Sequence, residues 1–595
     1  MSKISSAGYR FPEPSCGVQV NFCKNIKCAA FGVPETLNRV RRPNGTSSQA
    51  GDYIRTDDGR NNIQMKCGLC GSKNPLRSNE AIAQELGRLC AHIFGDTVPC
   101  CPAQDCVNMT VPVTAASHYV RNGKTPSGTP RWRCNACRKT FAGTAAPQAR
   151  QRMPHKNRDV FSLLMNKMPI NRIAEVTGLA PTSIYGKIEL IHRQCMAFAG
   201  QRERQLVQGM PLPSMYVAVD RQVHYVNWSN RKDRRNVALT AIGSADLTTG
   251  YVFGFNLNFD PALNPTTVEK EAAASGDLAE YEAYRKLARV WLSTDYQAAI
   301  EASKSRKAKT KKFKTAAFEE GLEQDITAQY EQGQACEDVE AEGADGEAAL
   351  PGNGVQIKDQ YTMHGHFHLL ATLLQNADKV RCYMDQDSGM RAAFLGAFAE
   401  RVKQRTADAW FVSVMKDATV NQKEAAVNRA KARLAEATAA HPGLVLAQVK
   451  MLLMKEEMAN PKEMGSYKDI WLSHPMPNMS EPAKKMAWLT NFGDYDEDHQ
   501  AHLYLKASLH AVDRFFMQAR RRLSLAERSI HTASSEGRTW YGYSAYNPEN
   551  LARTLEIFRV FYNYCKAGKD KQTPAMRLGL AKAPIALEDI LYFTP

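Results

Sequence analysis

The feature that most restricts what this chain can fold into is a repeated arrangement of eight cysteines within its first 140 residues. Cys23-x4-Cys28 is followed by Cys67-Gly-Leu-Cys70, and Cys101-x4-Cys106 is followed by Cys134-Asn-Ala-Cys137. Each set pairs two short-spaced knuckles, which is what four thiolates need to surround one tetrahedral zinc ion. The copies agree beyond cysteine: CKNIKCAAFGVP and CPAQDCVNMTVP keep the same spacing through Val33-Pro34 and Val111-Pro112. Tyr53-Ile-Arg55 and Tyr119-Val-Arg121 then precede Lys66-Cys67 and Arg133-Cys134. The pattern predicts an internal duplication with linkers of unequal length, one zinc ribbon over 15–80 and a second over 95–145. Ribbons this small hold no core without metal, so both zinc ions are expected to be structural. Cys16, Cys90 and Cys100 are left over, and Cys100 is an alternate to Cys101 as first ligand of the second site.

Bulk properties narrow the partners. A formal charge of +16 on 595 residues points to a polyanion, nucleic acid or an acidic membrane surface. No apolar run approaches the ~18 residues of a membrane span, and the segment MSKISSAGYRFPEPSCG lacks the apolar core of a secretory signal. Cysteines in metal-type spacing agree with a reducing compartment. A cytoplasmic, nucleoid-associated protein of three or four domains is expected.

Residues 155–200 read as a helix-turn-helix. Phe161, Leu163, Leu164, Met165 and Met168 form an apolar helical face, Gly178 supplies a tight turn, and Pro181 suits the first turn of the next helix. Thr182, Ser183, Tyr185, Lys187 and His192 are expected on the outer face of that helix, where a DNA reader carries its contacts. An ordinary helical hairpin is the bland alternative. In the second ribbon, Arg121, Lys124, Arg131, Arg133, Arg138 and Lys139 surround two turns of a β-hairpin, a phosphate-binding surface or a solvated basic face.

From 211 the pattern changes to strands. SMYVAVDRQVHYVNW sets Asp220 among β-branched and aromatic residues, and NVALTAIGSA and GYVFGFNLNF follow as two more strands. A carboxylate inside an apolar strand is costly to bury unless paired, and a divalent cation is one partner. Tyr281–Leu292 reads as a helix, closing the first half of a core over 211–300. The stretch 301–355 reads as a charged insertion or linker. A helix from His364, the strand VRCYM ending in Asp385 and Asp387, a helix from Met390 and the strand WFVSVM form the second half, 356–416. His364, His366 and His368 are expected to pack, since their spacing cannot set all three on one helical face. Residues 417–500 read as a helical insertion. Leu503–Arg528 reads as one helix carrying Asp513 and, seven residues on, Arg520; it opens the last segment, 501–595. Glu527, Glu424 and Glu549 are rival acids.

The run SHYVRNGKTPSGTPRWRCNACRKTF resembles the basic zinc ribbon that opens bacterial insertion-sequence transposases of the DDE type. The ending LARTLEIFRVFYNYC with TPAMRLGL resembles their tail. The resemblance covers the second ribbon, the helix-turn-helix, the strand-rich core and the tail. It implies a multidomain α/β chain: two small zinc ribbons, a helix-turn-helix, then a ribonuclease-H-like mixed α/β catalytic core with a helical insertion. It implies Asp220, Asp385 and Asp513 as a DDD variant of the carboxylate triad, with Asp387 and Glu527 as fallbacks. Two Mg2+ or Mn2+ ions held there would support cleavage and strand transfer at a phosphodiester. Duplex DNA, both element ends and target, would be the partner, bound by a homo-oligomer and gripped in part by Arg520. A non-cleaving DNA-binding regulator derived from such an enzyme is the alternative, and an RNA-processing nuclease is a third reading.

Overall fold

In the computed structural model, the described residues are 10–37, 48–57, 63–95, 101–103, 106–108, 113, 117–126, 130–142, 151–227, 233, 235–307, 318–334, 348–415, 419–465, 467–527 and 541–594. Trp228, at the end of the strand that carries Asp220, and Cys100 lie outside them. The chain divides into two compact units. The first joins Met1–Leu89 to Pro211–Met517 and Tyr546–Glu549; the second holds Cys90–Met210, Gln518–Ala545 and Asn550–Pro595.

The duplication read from the cysteines is a duplication of structure. The first ribbon has strands β1 (Tyr53–Asp57), β2 (Ile63–Cys67) and β3 (Lys73–Pro75), antiparallel and in that order. The second has β4 (Tyr119–Lys124), β5 (Pro130–Cys134) and β6 (Thr140–Ala142) in the same arrangement. Tyr53 faces Cys67 across the first pair, and Tyr119 faces Cys134 across the second. After each second knuckle the chain turns through a left-handed residue, Gly71 at φ 72° and Arg138 at φ 62°.

The first unit is built on an eight-stranded sheet. Its strands are β7 (Met215–Val226), β8 (Val237–Asp246), β9 (Val252–Leu257), β12 (Val380–Asp385), β13 (Ala407–Val414), β14 (Lys462–Met464), β15 (Asp469–Ser473) and β16 (Lys484–Trp488). A small separate ladder pairs β10 (Phe259–Asp260) with β11 (Val355–Gln356). The order in the large sheet is β14-β15-β16-β13-β12-β7-β8-β9. Strands β7, β12 and β13 are mutually parallel and the other pairings are antiparallel. Strands β12 and β13 are buried along nearly their whole length, as parallel strands covered on both faces are. Seven of the eight residues of β13 are buried. Helix Ser388–Lys403 makes the crossover between the parallel strands β12 and β13, as parallel pairing requires.

Several segments depart from the sequence reading. Tyr281–Leu292 is not a helix: it holds a short 3-10 turn, Glu282–Tyr284, and a second turn closed by the Val290 amide on the Leu287 carbonyl, after which Val290 bridges Ile357. The Asp277 carboxylate takes the amides of Lys286 and Leu287 at 3.1 and 2.8 Å, amides that a helix would have used internally. Within the charged insertion, helix Phe318–Gln334 is tied to the sheet, with Tyr330 donating to Asp469 at 2.6 Å. The insertion over 417–500 is only half helical. Helices Val420–Ala440 and Leu446–Met458 lead into β14, β15 and β16, which extend the sheet beyond β13. Leu503–Arg528 is two helices, Glu497–Lys506 and His510–Arg522, separated where the Glu481 carboxylate accepts from Ser508 Oγ (2.7 Å) and the Leu509 amide (2.8 Å).

In the second unit, helices Asn157–Leu164, Ile170–Thr177 and Pro181–Val207 follow one another, with Gly178 left-handed at φ 71° between the last two. The long third helix packs on the chain's end: Gln194 donates to the carbonyls of Leu591 and Phe593, and Phe198 meets Tyr564 edge-on. Buried Glu203 binds Arg559 at 2.6 Å and His92 at 2.8 Å. Burial opposes its ionisation, but the Arg559 guanidinium and the hydrogen bond with His92 hold its carboxyl down at about 2. Among the described residues no helix is long and apolar enough to cross a membrane.

Candidate metal centres and carboxylate face

Eight cysteines converge as two four-cysteine clusters: Cys23, Cys28, Cys67 and Cys70, and Cys101, Cys106, Cys134 and Cys137. Within each cluster the four sulfurs lie within 4.8 Å of one another. Cys23–Cys70 and Cys28–Cys67 are 3.6 and 3.8 Å apart, and Cys101–Cys137 and Cys106–Cys134 are 3.4 and 3.6 Å apart. Zinc–sulfur bonds of about 2.3 Å set tetrahedral edges of about 3.8 Å, so both clusters fit a zinc ion.

The duplicated tyrosine explains how each knuckle is held. The Cys23 amide donates to the Tyr53 hydroxyl at 3.1 Å, which donates on to the Val33 carbonyl at 2.5 Å. In the second ribbon the Cys101 amide donates to the Tyr119 hydroxyl at 3.0 Å, which donates to the Asn108 carbonyl at 2.6 Å. Sulfur acceptors are matched too: Ala30 N reaches Cys28 Sγ and Asn108 N reaches Cys106 Sγ, each at 3.4 Å. Amides aimed at sulfur favour the thiolate that a metal needs. The repeated tyrosines were visible in the sequence; their hydrogen bonds were not.

The ribbons differ in what surrounds them. In the first, β2 is almost wholly buried and its core runs on into Ala283, with Tyr281 and Tyr284 packed against it. Tyr284 donates to the Arg10 carbonyl (2.7 Å), and Lys403 donates to the Gly32 carbonyl (3.2 Å). The second ribbon has a small core of its own, made of Tyr119, Val113 and the cysteines, with Trp132 and Phe141 against it. Beyond Tyr119 every residue of β4 is exposed. Arg121, Lys124, Arg131, Arg133, Arg138 and Lys139 are all exposed, and Arg121 lies 5.8 Å over the Trp132 ring.

On the helix-turn-helix, Thr182 and Ser183 are exposed and Tyr185 is half-buried. Lys187, expected to face out, points inward instead. Its ammonium donates to the Asn157 side chain at 2.6 Å and to the carbonyls of Met153 and Arg152, and burial lowers its pKa. Three acceptors replace water around the charge, which is why a lysine is tolerated there. His192 is half-buried, and burial pulls its pKa down to about 4.

The acids sit as follows. Val219 is in register with Met384 across the parallel pair β7–β12, so Asp220 and Asp385 are the next residues along adjacent strands. Residues in register share a face of the sheet. Asp220 faces Gly243 on β8. A Cβ built on Gly243 would stand 2.5 Å from Phe516 and 3.3 Å from Val512, so helix His510–Arg522 lies against the sheet on the Asp220 side. Phe255 meets Phe515 and Phe516 at 5.0 and 5.5 Å beside it. Asp513 adjoins Val512 on that helix, and Arg520 follows two turns on. Asp220, Asp385 and Asp513 are each half-buried. Among the described residues only the cysteine clusters bring three candidate ligand atoms within 4.8 Å of one another.

The fallback acids have other partners. Asp387 caps helix Ser388–Lys403 through the amides of Gly389 and Met390 and pairs with Arg221. Arg221 also reaches Asp359 at 3.5 Å, and Asp359 accepts from Asn258. Glu527 pairs with Lys167 at 2.9 Å, and Glu424 is exposed on helix Val420–Ala440. His364 and His366 are buried; His366 shares a 2.6 Å hydrogen bond with Asn256, and burial drops its pKa to about 3. Gly243 and Arg221 were not singled out from the sequence, since a lone glycine or arginine in a strand carries no signal.

No family model matches the chain, and comparisons with curated proteins and with solved structures return no match.

Proposed function

We propose that the chain is a divalent-metal-dependent DNA transposase that binds element ends, cleaves a phosphodiester and transfers the strand. The observation that carries this reading is the placement of Asp220 and Asp385 at successive positions of two parallel strands, beneath the helix that bears Asp513. The order β9-β8-β7-β12-β13, with β8 antiparallel to its neighbours, supports a ribonuclease-H-like core. Partial exposure of Asp220 and Asp385 on the sheet and of Asp513 on the helix supports their use as ligands, because a hydrated cation can reach a carboxylate that keeps a path to solvent. Oxygen ligands suit Mg2+ or Mn2+, which would sharpen the attacking oxygen and stabilise the leaving one. Asp220 would be shared by both ions, Asp385 and Asp513 flanking it. The exposed cations of the second ribbon, with Thr182, Ser183 and Tyr185, would engage duplex DNA, and Arg520 would meet its backbone.

A supercoiled plasmid carrying the DNA that flanks this coding sequence, incubated with the zinc-loaded protein and Mn2+, tests the proposal. Nicking by the wild type and its loss, by about a thousandfold or more, in Asp220→Ala with retained DNA binding is the expected result. Absence of nicking by the wild type in Mg2+ and Mn2+ would sink it. The spacing of the three acids beyond 4.8 Å favours the rival reading, a DNA-binding regulator that no longer cleaves. That reading predicts intact DNA binding and no nicking.

A further inference from the structure

Apart from the carboxylate face, the first unit contains a pocket of about 280 Å³ where the first zinc knuckle, the start of β15 and the segment after β16 come together. Its lining combines four aromatic residues, Tyr467, Trp488, Phe492 and Tyr504, with the cations Lys27, Lys468 and Arg391 and the carboxamides Asn25 and Asn491. Phe492 is 43% exposed, an uncommon state for so large an apolar ring. Lys27 and Lys468 are exposed, and Lys468 holds a left-handed backbone at φ 51°. The one acid in the wall, Asp469, is already neutralised: Arg391 binds it at 2.6 Å and Tyr330 donates to it at 2.6 Å. The field at the mouth is therefore positive.

The chemistry of the lining selects among ligands. A purely apolar guest would strip water from two lysines and two amides without replacing it. An inorganic anion would leave the aromatic walls unused. A flat heterocycle with hydrogen-bonding edges and a phosphate on either side satisfies all three kinds of group. The volume is at the small end of ligand sites and suits one such heterocycle. Ring–cation contacts go on past the mouth: Lys379 lies 5.2 Å over Tyr495, and Arg405, paired with Asp494, lies 4.4 Å over Phe492 and 5.1 Å over Tyr495. Rings set beside cations are how proteins follow an unpaired strand, through base stacking and phosphate attraction.

We propose that this pocket receives one unpaired base of a DNA strand, with the flanking phosphates on Lys27 and Lys468. The choice of a strand over a free nucleotide rests on the DNA-processing function proposed above. The test uses the full-length, zinc-loaded protein and a short single-stranded oligonucleotide with a central 2-aminopurine, compared with the same strand in a duplex and with dAMP. Binding should quench the 2-aminopurine in the single strand. Phe492→Ala should abolish the quench and weaken single-strand affinity roughly tenfold, while duplex affinity changes less than about twofold. Lys468→Ala, also at an exposed position, should weaken the single strand about threefold and lower its salt dependence. Zinc content and circular dichroism of both variants establish that the fold is kept.

Unaltered 2-aminopurine fluorescence in the wild type, or unchanged single-strand affinity in Phe492→Ala, overturns the pocket. Equal affinity for dAMP and the oligonucleotide overturns the assignment to a strand. Plasmid nicking measured in parallel separates the two proposals. Pocket-dependent single-strand binding without nicking removes the catalytic reading alone, and nicking with no pocket dependence removes the pocket alone.

Discussion

The two four-cysteine modules share a strand order, a cysteine set and a tyrosine latch, yet they are embedded differently. The first shares its core with the strap at Tyr281–Tyr284, and β2 is buried along nearly its whole length. The second keeps a small core to itself and leaves β4 and the outward side of β5 in solvent. Side chains follow the embedding. Counting back and forward from the second knuckles, Gln64 stands where the second ribbon has Arg131, Gly71 stands for Arg138, and Ser72 for Lys139. Arg55, the counterpart of Arg121, lies over the Tyr281 ring at 5.8 Å, whereas Arg121 lies over Trp132 within its own ribbon. One four-cysteine module is thus part of a larger core, and the other has a charged exterior. Burial excludes unpaired charge, and solvent exposure permits it.

Removing a zinc ligand should break this comparison most sharply. Cys67→Ser and Cys134→Ser should each lower bound zinc from two ions to one, measured by elemental analysis. Only Cys67→Ser should destabilise the first unit, by on the order of 5 kcal/mol in denaturant unfolding, because its core runs through that ribbon. Equal destabilisation by the two substitutions would show that both ribbons brace their surroundings.

The strap offers a smaller lever. Glu282 accepts from Lys358 at 2.5 Å and from Gln360 at 2.9 Å. Burial opposes its ionisation, but Lys358 and Arg77 hold its carboxyl at about 2, below its usual 4.5. A depressed carboxyl stabilises the fold above the unfolded value and loses that contribution as pH falls through the folded one. Glu282→Gln should therefore cost about 2 kcal/mol at pH 7, and the gap to wild type should close between pH 4.5 and 2. A gap that stays constant across that window would show that the carboxylate charge contributes nothing.

The charged exterior of the second ribbon should affect DNA and not stability. Arg121→Ala with Arg131→Ala should reduce the salt slope of duplex binding by about 2, with unfolding unchanged within about 0.5 kcal/mol. Arg55→Ala, the matching change in the first ribbon, is expected to have the smallest effect of all: no change in DNA affinity and under about 1 kcal/mol in stability from the lost Tyr281 contact. A DNA defect in Arg55→Ala would mean that the first ribbon also grips phosphate.

Much of this was legible in the chain. The cysteine spacings, the repeated tyrosine and the helix-turn-helix signals Gly178 and Pro181 depend on neighbours a few residues away, and the structure bears them out. The strands around Asp220 and Asp385 were legible too, since apolar β-branched runs bounded by turns leave few other choices. What sequence reasoning missed depended on distant partners. β14, β15 and β16 are short and irregular in pattern, and become strands because β13 offers an open edge. The single helix read at Leu503–Arg528 breaks because Glu481, well before it in the chain, captures Ser508 and Leu509. Lys187 fits an exposed helical position in the sequence, and only Asn157 and two carbonyls make its burial tolerable.

By itself, then, the sequence determined the two four-cysteine clusters and many of the local elements, because thiol spacing and hydrophobic period act over a few residues. Tertiary structure alone decided which ribbon is buried, which acids share a sheet face with helix His510–Arg522, and where a pocket forms beside the first knuckle. Each of those depends on side chains that are far apart in the chain and close in space, where packing and desolvation set the free energy.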